Sequence, residues 1–189
     1  MRLALGVEYV GTAYAGWQRQ ADAPSVQAEL ERALATVADH PVQLTCAGRT
    51  DRGVHALGQV AHFDTAAVRP TRGWTLGANT ALPPDVAVQW VAPMPDDFHA
   101  RYSATARTYR YLILNRATRS PALRERAWWV YAPLDADRMH EAAQALVGEH
   151  DFSAFRAAEC QSRVPTRRLA RIAVCRTGEL VAVEVTANA

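Results

Sequence analysis

The spacing of apolar and polar residues changes repeatedly along the chain, from a period of two to a helical period and back. From Arg2 to Tyr9, Leu3, Leu5 and Val7 fall on one side and Ala4, Gly6 and Glu8 on the other, which predicts a strand with one buried face. Ser25 follows Pro24 as an N-cap, and Val26, Leu30, Ala33, Leu34 and Val37 recur at helical spacing until Pro41 stops them. Val42–Ala47 and Gln59–Phe63 read as the next two strands, Arg69–Thr80 as a second helix with Trp74 and Leu76 or Ala78 inward, and Val86–Val91 as another strand. Pro93-Met94-Pro95-Asp96-Asp97 then interrupts the pattern, and a hinge is expected near Ala104.

Beyond that hinge, Arg107–Asn115 alternates again, with Tyr109, Tyr111 and Ile113 on one face and Thr108, Arg110, Leu112 and Leu114 on the other. Trp128-Trp129-Val130-Tyr131 reads as a short aromatic strand. Asp135 caps a third helix with Met139, Ala142, Ala143 and Leu146 inward and Gly148 past its end. Leu169–Arg176 and Leu180–Thr186, joined at Thr177-Gly178, form a hairpin. The expectation is an α+β chain of two small domains, residues 1–104 and 105–189, each an antiparallel sheet with helices on one face.

Composition adds little to that outline: of 189 residues, 49% are hydrophobic and 21% charged, as in ordinary globular proteins. No run of eighteen or more apolar residues occurs and the N-terminus lacks a secretory apolar stretch, so a soluble, cytoplasmic protein with no membrane association is expected. Three cysteines, Cys46, Cys160 and Cys175, suggest neither a disulfide framework nor a zinc cluster. Charge is more informative. All 21 basic residues are arginine; residues 1–104 hold 8 Arg against 10 Asp+Glu, a balance of −2, and residues 105–189 hold 13 against 9, a balance of +4. Guanidinium groups bind phosphate through paired hydrogen bonds and stack on bases, so the second half suits RNA, although a compositional bias toward arginine gives the same count.

The candidate chemistry lies between the second and third strands. Cys46–Gln59 contains Gly48, Gly53 and Gly58, which free the backbone, and Asp51 between Arg49 and Arg52, whose positive charge favours the ionised carboxylate. Such a carboxylate suits a nucleophile or base; an exposed ion pair of no consequence has the same spacing. Similar alternatives hold elsewhere. Gly11–Gln20 carries Tyr14, Trp17 and Arg19 as groups for holding bases and phosphates, or as core and surface. The strand with Tyr109, Tyr111 and Arg110 is a base-stacking platform or an ordinary buried sheet. Arg116–Arg126, and the arginines Arg163, Arg167 and Arg168 around Pro165, are phosphate contacts or solvated turns.

Gly48-Arg49-Thr50-Asp51-Arg52-Gly53-Val54-His55 resembles the signature of the tRNA pseudouridine synthase A family, whose Gly-Arg-Thr-Asp run carries the catalytic aspartate. Gly16–Gln20, Gly58-Gln59-Val60, Asp97–Arg101, Thr108–Tyr111, Asp151–Phe155 and Cys160–Arg163 match further family segments in order, so the resemblance covers nearly the whole chain.

That resemblance implies an enzyme that isomerises uridine to pseudouridine in tRNA anticodon stem-loops just 3′ of the anticodon, acting as a homodimer without a cofactor and with its active-site cleft between the two domains. It makes Asp51 the catalytic carboxylate and places Arg49 at the flipped-out nucleotide. Tyr109 becomes the tyrosine that stacks on the uracil, with Arg52 and His55 beside the substrate. Arg52 departs from the family, which has a small residue there, and is expected to turn outward. Family members continue past Ala189 with a Phe-x-His-x-Met-Val-Arg-Asn run, so the chain is expected to be truncated. A non-catalytic RNA-binding module would explain the tyrosines and arginines but leave Asp51 unused. A metal site at Cys46, His55, His62 and His99 has no common zinc spacing, and an aspartyl-phosphate enzyme would need a second acidic motif for magnesium.

Overall fold

The computed structural model describes residues 1–155 and 165–189. It divides into two compact units, Met1–Ala104 and Thr105–Ala189.

In the first unit, strands β1 (Arg2–Tyr9), β2 (Thr45–Cys46), β3 (Ala56–Asp64) and β4 (Val86–Met94) form an antiparallel sheet in the order β2-β3-β1-β4. Helices α1 (Val26–Ala38) and α2 (Thr71–Ala81) complete a ferredoxin-like β-α-β-β-α-β arrangement. Helix α1 begins where expected: the Ser25 hydroxyl accepts the Ala28 N–H at 3.3 Å. It ends at Asp39, whose backbone is left-handed at φ 59° and whose N–H reaches the Ala35 carbonyl. Leu5, Val7, Leu30, Leu34, Phe63 and Trp74 fill the space between sheet and helices. Burying side chains of this size stabilises the unit by roughly 1.5–3 kcal/mol each before chain entropy is counted. Trp74 meets Phe63 edge to face at 5.2 Å, and Ala78, not the 54% exposed Leu76, is the second inward residue of α2. A side chain at Gly77 would run into Val37 of α1, so this glycine sets how closely the two helices pack.

Two strand expectations fail here for physical reasons. Val42 and Leu44 are buried alternately, as a strand would have them, yet ladder pairing is confined to Thr45–Cys46. Leu44 instead satisfies its backbone through α1: its N–H donates to the Glu31 carboxylate at 3.0 Å and its carbonyl accepts from Gln27 Nε2 at 3.3 Å. Conversely, β4 continues through Pro93 to Met94, with Pro93 opposite Leu3. A proline is tolerated because β4 is an edge strand, where an N–H directed away from β1 has no ladder partner to lose.

In the second unit, β5 (Ala106–Asn115), β6 (Trp128–Val130), β7 (Gly148–Asp151), β8 (Thr166–Thr177) and β9 (Leu180–Asn188) form a sheet in the order β6-β5-β9-β8-β7. Helix α3 (Ala136–Ala143) starts at Asp135, whose carboxylate accepts the N–H groups of Asp137 and Arg138. Ile113, Ala136, Val174 and Val181 are the buried centre, with Met139 and Ala143 packed against it. Ala142, expected inward, is exposed. The sheet is antiparallel except for β5–β6, which run parallel; residues 116–127 supply the long connection that parallel neighbours need. Strand β7 was not foreseeable, because Gly-Glu-His-Asp is a polar edge segment without apolar alternation. No helix of the described residues is long and apolar enough to cross a membrane.

Candidate active site

Strand β2 leads directly into the segment that carries Asp51, and the backbone there is held at nearly every step. Ala47 N–H donates to the Val60 carbonyl at 2.8 Å, and Gln59 Nε2 donates to the Gly48 carbonyl at 2.6 Å, so the segment leaves the sheet in a fixed direction. Thr50 is anchored on two sides. Its carbonyl accepts the Trp17 N–H at 2.9 Å, and its hydroxyl lies 2.7 Å from the Tyr9 hydroxyl. A turn closes from the Val54 N–H to the Asp51 carbonyl at 3.2 Å. His55 Nδ1 then accepts the Gly11 N–H at 3.0 Å, which puts the proton of the neutral ring on Nε2.

The counter-surface for this loop is Gly11–Gln20. Trp17 is fully buried and touches Tyr9, with ring centres 6.0 Å apart, so it belongs to the core. Gly16 has φ 121°, and a Cβ there would lie 2.6 Å from the Thr50 carbonyl; glycine is required both by its backbone angle and by the close approach. Tyr14 is buried, donates to Asp85 at 2.7 Å, and has its pKa pushed well up, first by burial and then by that bond.

On this clamped base, Arg49, Asp51 and Arg52 all have exposed side chains. Among the described residues no ion pair joins Asp51 to either arginine, so the loop presents a carboxylate flanked by guanidinium groups without a contact salt bridge. Asp51, Arg49, Arg52 and His55 thus come together on one loop. Arg19 sits on the counter-surface, where it pairs with the buried Glu31 at 3.1 Å.

The remaining candidates belong to the second unit. Tyr109 and Tyr111 lie on the face that buries Ile113, yet they are 54% and 57% exposed; Tyr111 meets Trp128 edge to face at 6.5 Å. Among the described residues, then, the two tyrosines are not buried by their own sheet. Arg110, on the opposite face, is bonded through Nη2 to Glu184 of β9 at 2.7 Å, with Arg171 near the other carboxylate oxygen at 3.7 Å; the Arg110 bond is the chief cause of a lowered Glu184 pKa. Arg167 and Arg168 open β8, Arg168 exposed and Arg167 half-buried with Nη1 on the Thr166 carbonyl. Arg163 lies outside the described residues. Among those residues no group of three His, Cys, Asp or Glu side chains could hold a metal.

Tyr9, Thr50, Gln59 and the Gly16-Trp17 backbone were not singled out as supports of the Asp51 loop by sequence reasoning. Gln27 and Glu31 were missed as well, although a polar pair four residues apart beside Leu30 and Leu34 was a visible signal.

A ferredoxin-like unit carrying a clamped aspartate loop, followed by an arginine-rich unit with exposed tyrosines, is an arrangement suited to acting on RNA. The chain belongs to the tRNA pseudouridine synthase family, whose model matches residues 6–103 and 142–189. It is 56% identical over 189 residues to the tRNA pseudouridine synthase A of Shewanella amazonensis, covering 100% of this chain and 72% of that protein. Identity to the protein of the same name from Hydrogenovibrio crunogenus is 56% over 187 residues, 71% of that protein, and to the one from Salmonella paratyphi B 55% over 188 residues, 70% of that protein.

Proposed function

We propose that this chain converts uridine to pseudouridine in the anticodon stem-loop of tRNA, just 3′ of the anticodon, with Asp51 acting on the ribose of the target nucleotide. The bond from C1′ to N1 breaks, the uracil turns over, C1′ joins C5, C5 loses its proton to solvent and N1 gains one. A carboxylate beneath the sugar serves either as nucleophile toward C1′ or as base toward C2′. The observation that carries this reading is Asp51 itself: an exposed carboxylate whose preceding residue is fixed by both Trp17 and Tyr9. A group held in that way can meet a flipped nucleotide without reorganising.

Arg49 fills the space left by the flipped nucleotide or holds its phosphate, and Arg52, directed outward, meets a neighbouring phosphate. His55 is both a loop anchor and a wall of the base pocket. Tyr109 stacks on the uracil; its exposure supports that role. Arg163, Arg167 and Arg168 contact phosphates, while Arg19 and Arg110 reach RNA only with the part of each guanidinium left over from Glu31 and Glu184. The resemblance further suggests a homodimer, which sedimentation equilibrium tests directly.

The deciding experiment is tritium release from tRNA labelled at C5 of uridine. Asp51→Asn should abolish release while tRNA still binds. Release at the parent rate removes Asp51 from the mechanism and favours an RNA-binding role for the loop.

A further inference from the structure

The Asp51 loop rests on Gly16 and Trp17, and those two residues in turn rest on α1. Their carbonyls accept the N–H groups of Val26 (3.3 Å) and Gln27 (3.0 Å), so the loop backbone caps the helix. Two residues beyond Trp17, the Arg19 N–H donates to Gln27 Oε1 at 3.1 Å. Gln27 Nε2 donates to Glu31 Oε1 at 2.8 Å, the Leu44 N–H donates to the same oxygen at 3.0 Å, and the Arg19 guanidinium lies 3.1 Å from Glu31 Oε2.

Glu31 is therefore a charge with a 5% exposed side chain, compensated on every side by donors from three segments of chain. A buried carboxylate is costly unless so satisfied, and an apolar residue here would fill the helix face at less expense. Arg19, by contrast, is 61% exposed at the side chain and is drawn down to it. The pair joins α1, the Gly16–Gln20 segment and the stretch leading into β2, and both of the latter lead to Asp51.

We propose that Glu31 is a positioning residue for the Asp51 loop: through Arg19 and Gln27 it keeps the Gly16-Trp17 backbone seated against Thr50. This deepens the reading of Asp51 given above and rests on it. Glu31 touches no substrate; its effect passes along Arg19 and Gln27 to Trp17 N–H, Thr50 and finally the carboxylate.

Glu31→Gln keeps the size and an acceptor for Leu44 but turns an amide N–H toward the guanidinium. Arg19→Gln tests the same link from its exposed end, where folding is least at risk. Both should lower the single-turnover rate on saturating tRNA by roughly tenfold or more, the cost of a misplaced reacting group. Glu31→Gln should leave tRNA affinity and its salt dependence at the parent values, while Arg19→Gln adds to its loss of rate at most the small loss of affinity that belongs to the exposed part of its guanidinium. Amide exchange should quicken in residues 47–56, none of which is hydrogen-bonded to Glu31, and the double variant should be no worse than either single one because the two act as a unit. Arg19→Lys should recover much of the lost rate.

Two results overturn the proposal. Arg19→Gln that weakens binding and lowers the salt slope by about one, with bound tRNA turned over normally, makes Arg19 a phosphate contact. Glu31→Gln that melts at lower temperature but retains parental exchange in residues 47–56 makes the network a support of α1 alone. Asp51→Asn measured alongside separates the two readings: turnover in that variant removes the role of Asp51, whereas its inactivity beside fully active Glu31→Gln and Arg19→Gln removes only the role of Glu31. Loop exchange decides the positioning role without reference to turnover.

Discussion

Apolar side chains go to opposite places in the two units. In the first, Leu3, Leu5, Leu30, Leu34, Phe63, Trp17 and Trp74 lie in a single buried cluster, and the Asp51 loop stands on it through Tyr9 and Trp17. In the second, the buried cluster among the described residues is Ile113, Ala136, Val174 and Val181, while Tyr109, Tyr111, Trp128, Trp129 and Tyr131 remain on the surface. The first unit gives the Asp51 loop a stiff mount, and the second leaves aromatic area on the surface of the described residues. On the function proposed above, the one holds the reacting carboxylate and the other offers rings to an unstacked base.

The contrast is testable in order of expected effect. Leu34→Ala, which empties a fully buried position, should cost roughly 2–5 kcal/mol of stability, whereas Val181→Ala in the thinner core should cost about 2 kcal/mol by the methyl groups lost. Denaturant melts of the two variants check the difference; equal costs would mean that the second core is as tightly packed as the first. Replacing Arg167 and Arg168 should instead weaken tRNA binding without altering which uridine is modified, each removal lowering the salt slope by about one. A change in the modified position would show that these arginines select the site.

Tyr9→Phe comes next. Loss of the bond to Thr50 should destabilise the first unit by about 1 kcal/mol and quicken exchange in residues 47–56. His62 gives a pH-dependent counterpart. It is 5% exposed, its Nδ1 accepts the Ala100 N–H at 3.1 Å, and its pKa is lowered, first by burial and then by His99 and Arg2, against the opposing pull of Asp64 and the Thr45 backbone. The folded chain therefore protonates His62 less readily than the unfolded chain. Stability conferred by the neutral ring is complete above the ordinary histidine value of about 6.5 and is lost as pH falls below it. His62→Gln should flatten that part of the stability profile, and NMR titration of the ring follows it directly. The smallest effect belongs to Arg110 and Glu184: a double-mutant cycle on this pair, whose arginine is mostly exposed, should give a coupling of at most about 1 kcal/mol that falls with salt.

Much of this organisation is legible in the sequence because it is local. Ser25 and Asp135 cap helices as their side chains dictate, the tyrosine and arginine faces of β5 follow from alternation, and the glycine-flanked aspartate stands out between strands. What could not be read is what depends on partners distant along the chain. Leu44 looks like strand but hydrogen-bonds to a helix side chain. Trp17 looks equally like a base-stacking residue until its place against Tyr9 is known. Two of the supports of the loop are the backbone N–H groups of Gly11 and Trp17, whose service as donors leaves no trace in residue type.

Pro93 has one more consequence. An edge strand nine residues long, such as β4, offers unsatisfied amides to any extended peptide, including another copy of itself in the crowded, half-folded state of a newly made chain. The proline breaks that row of donors, and on the opposite edge β2 is only two residues long. The first unit is thus fenced on both sides against strand addition, so that Pro93→Val would be felt less in the folded protein's stability than in its yield, through the self-association that the ring now prevents.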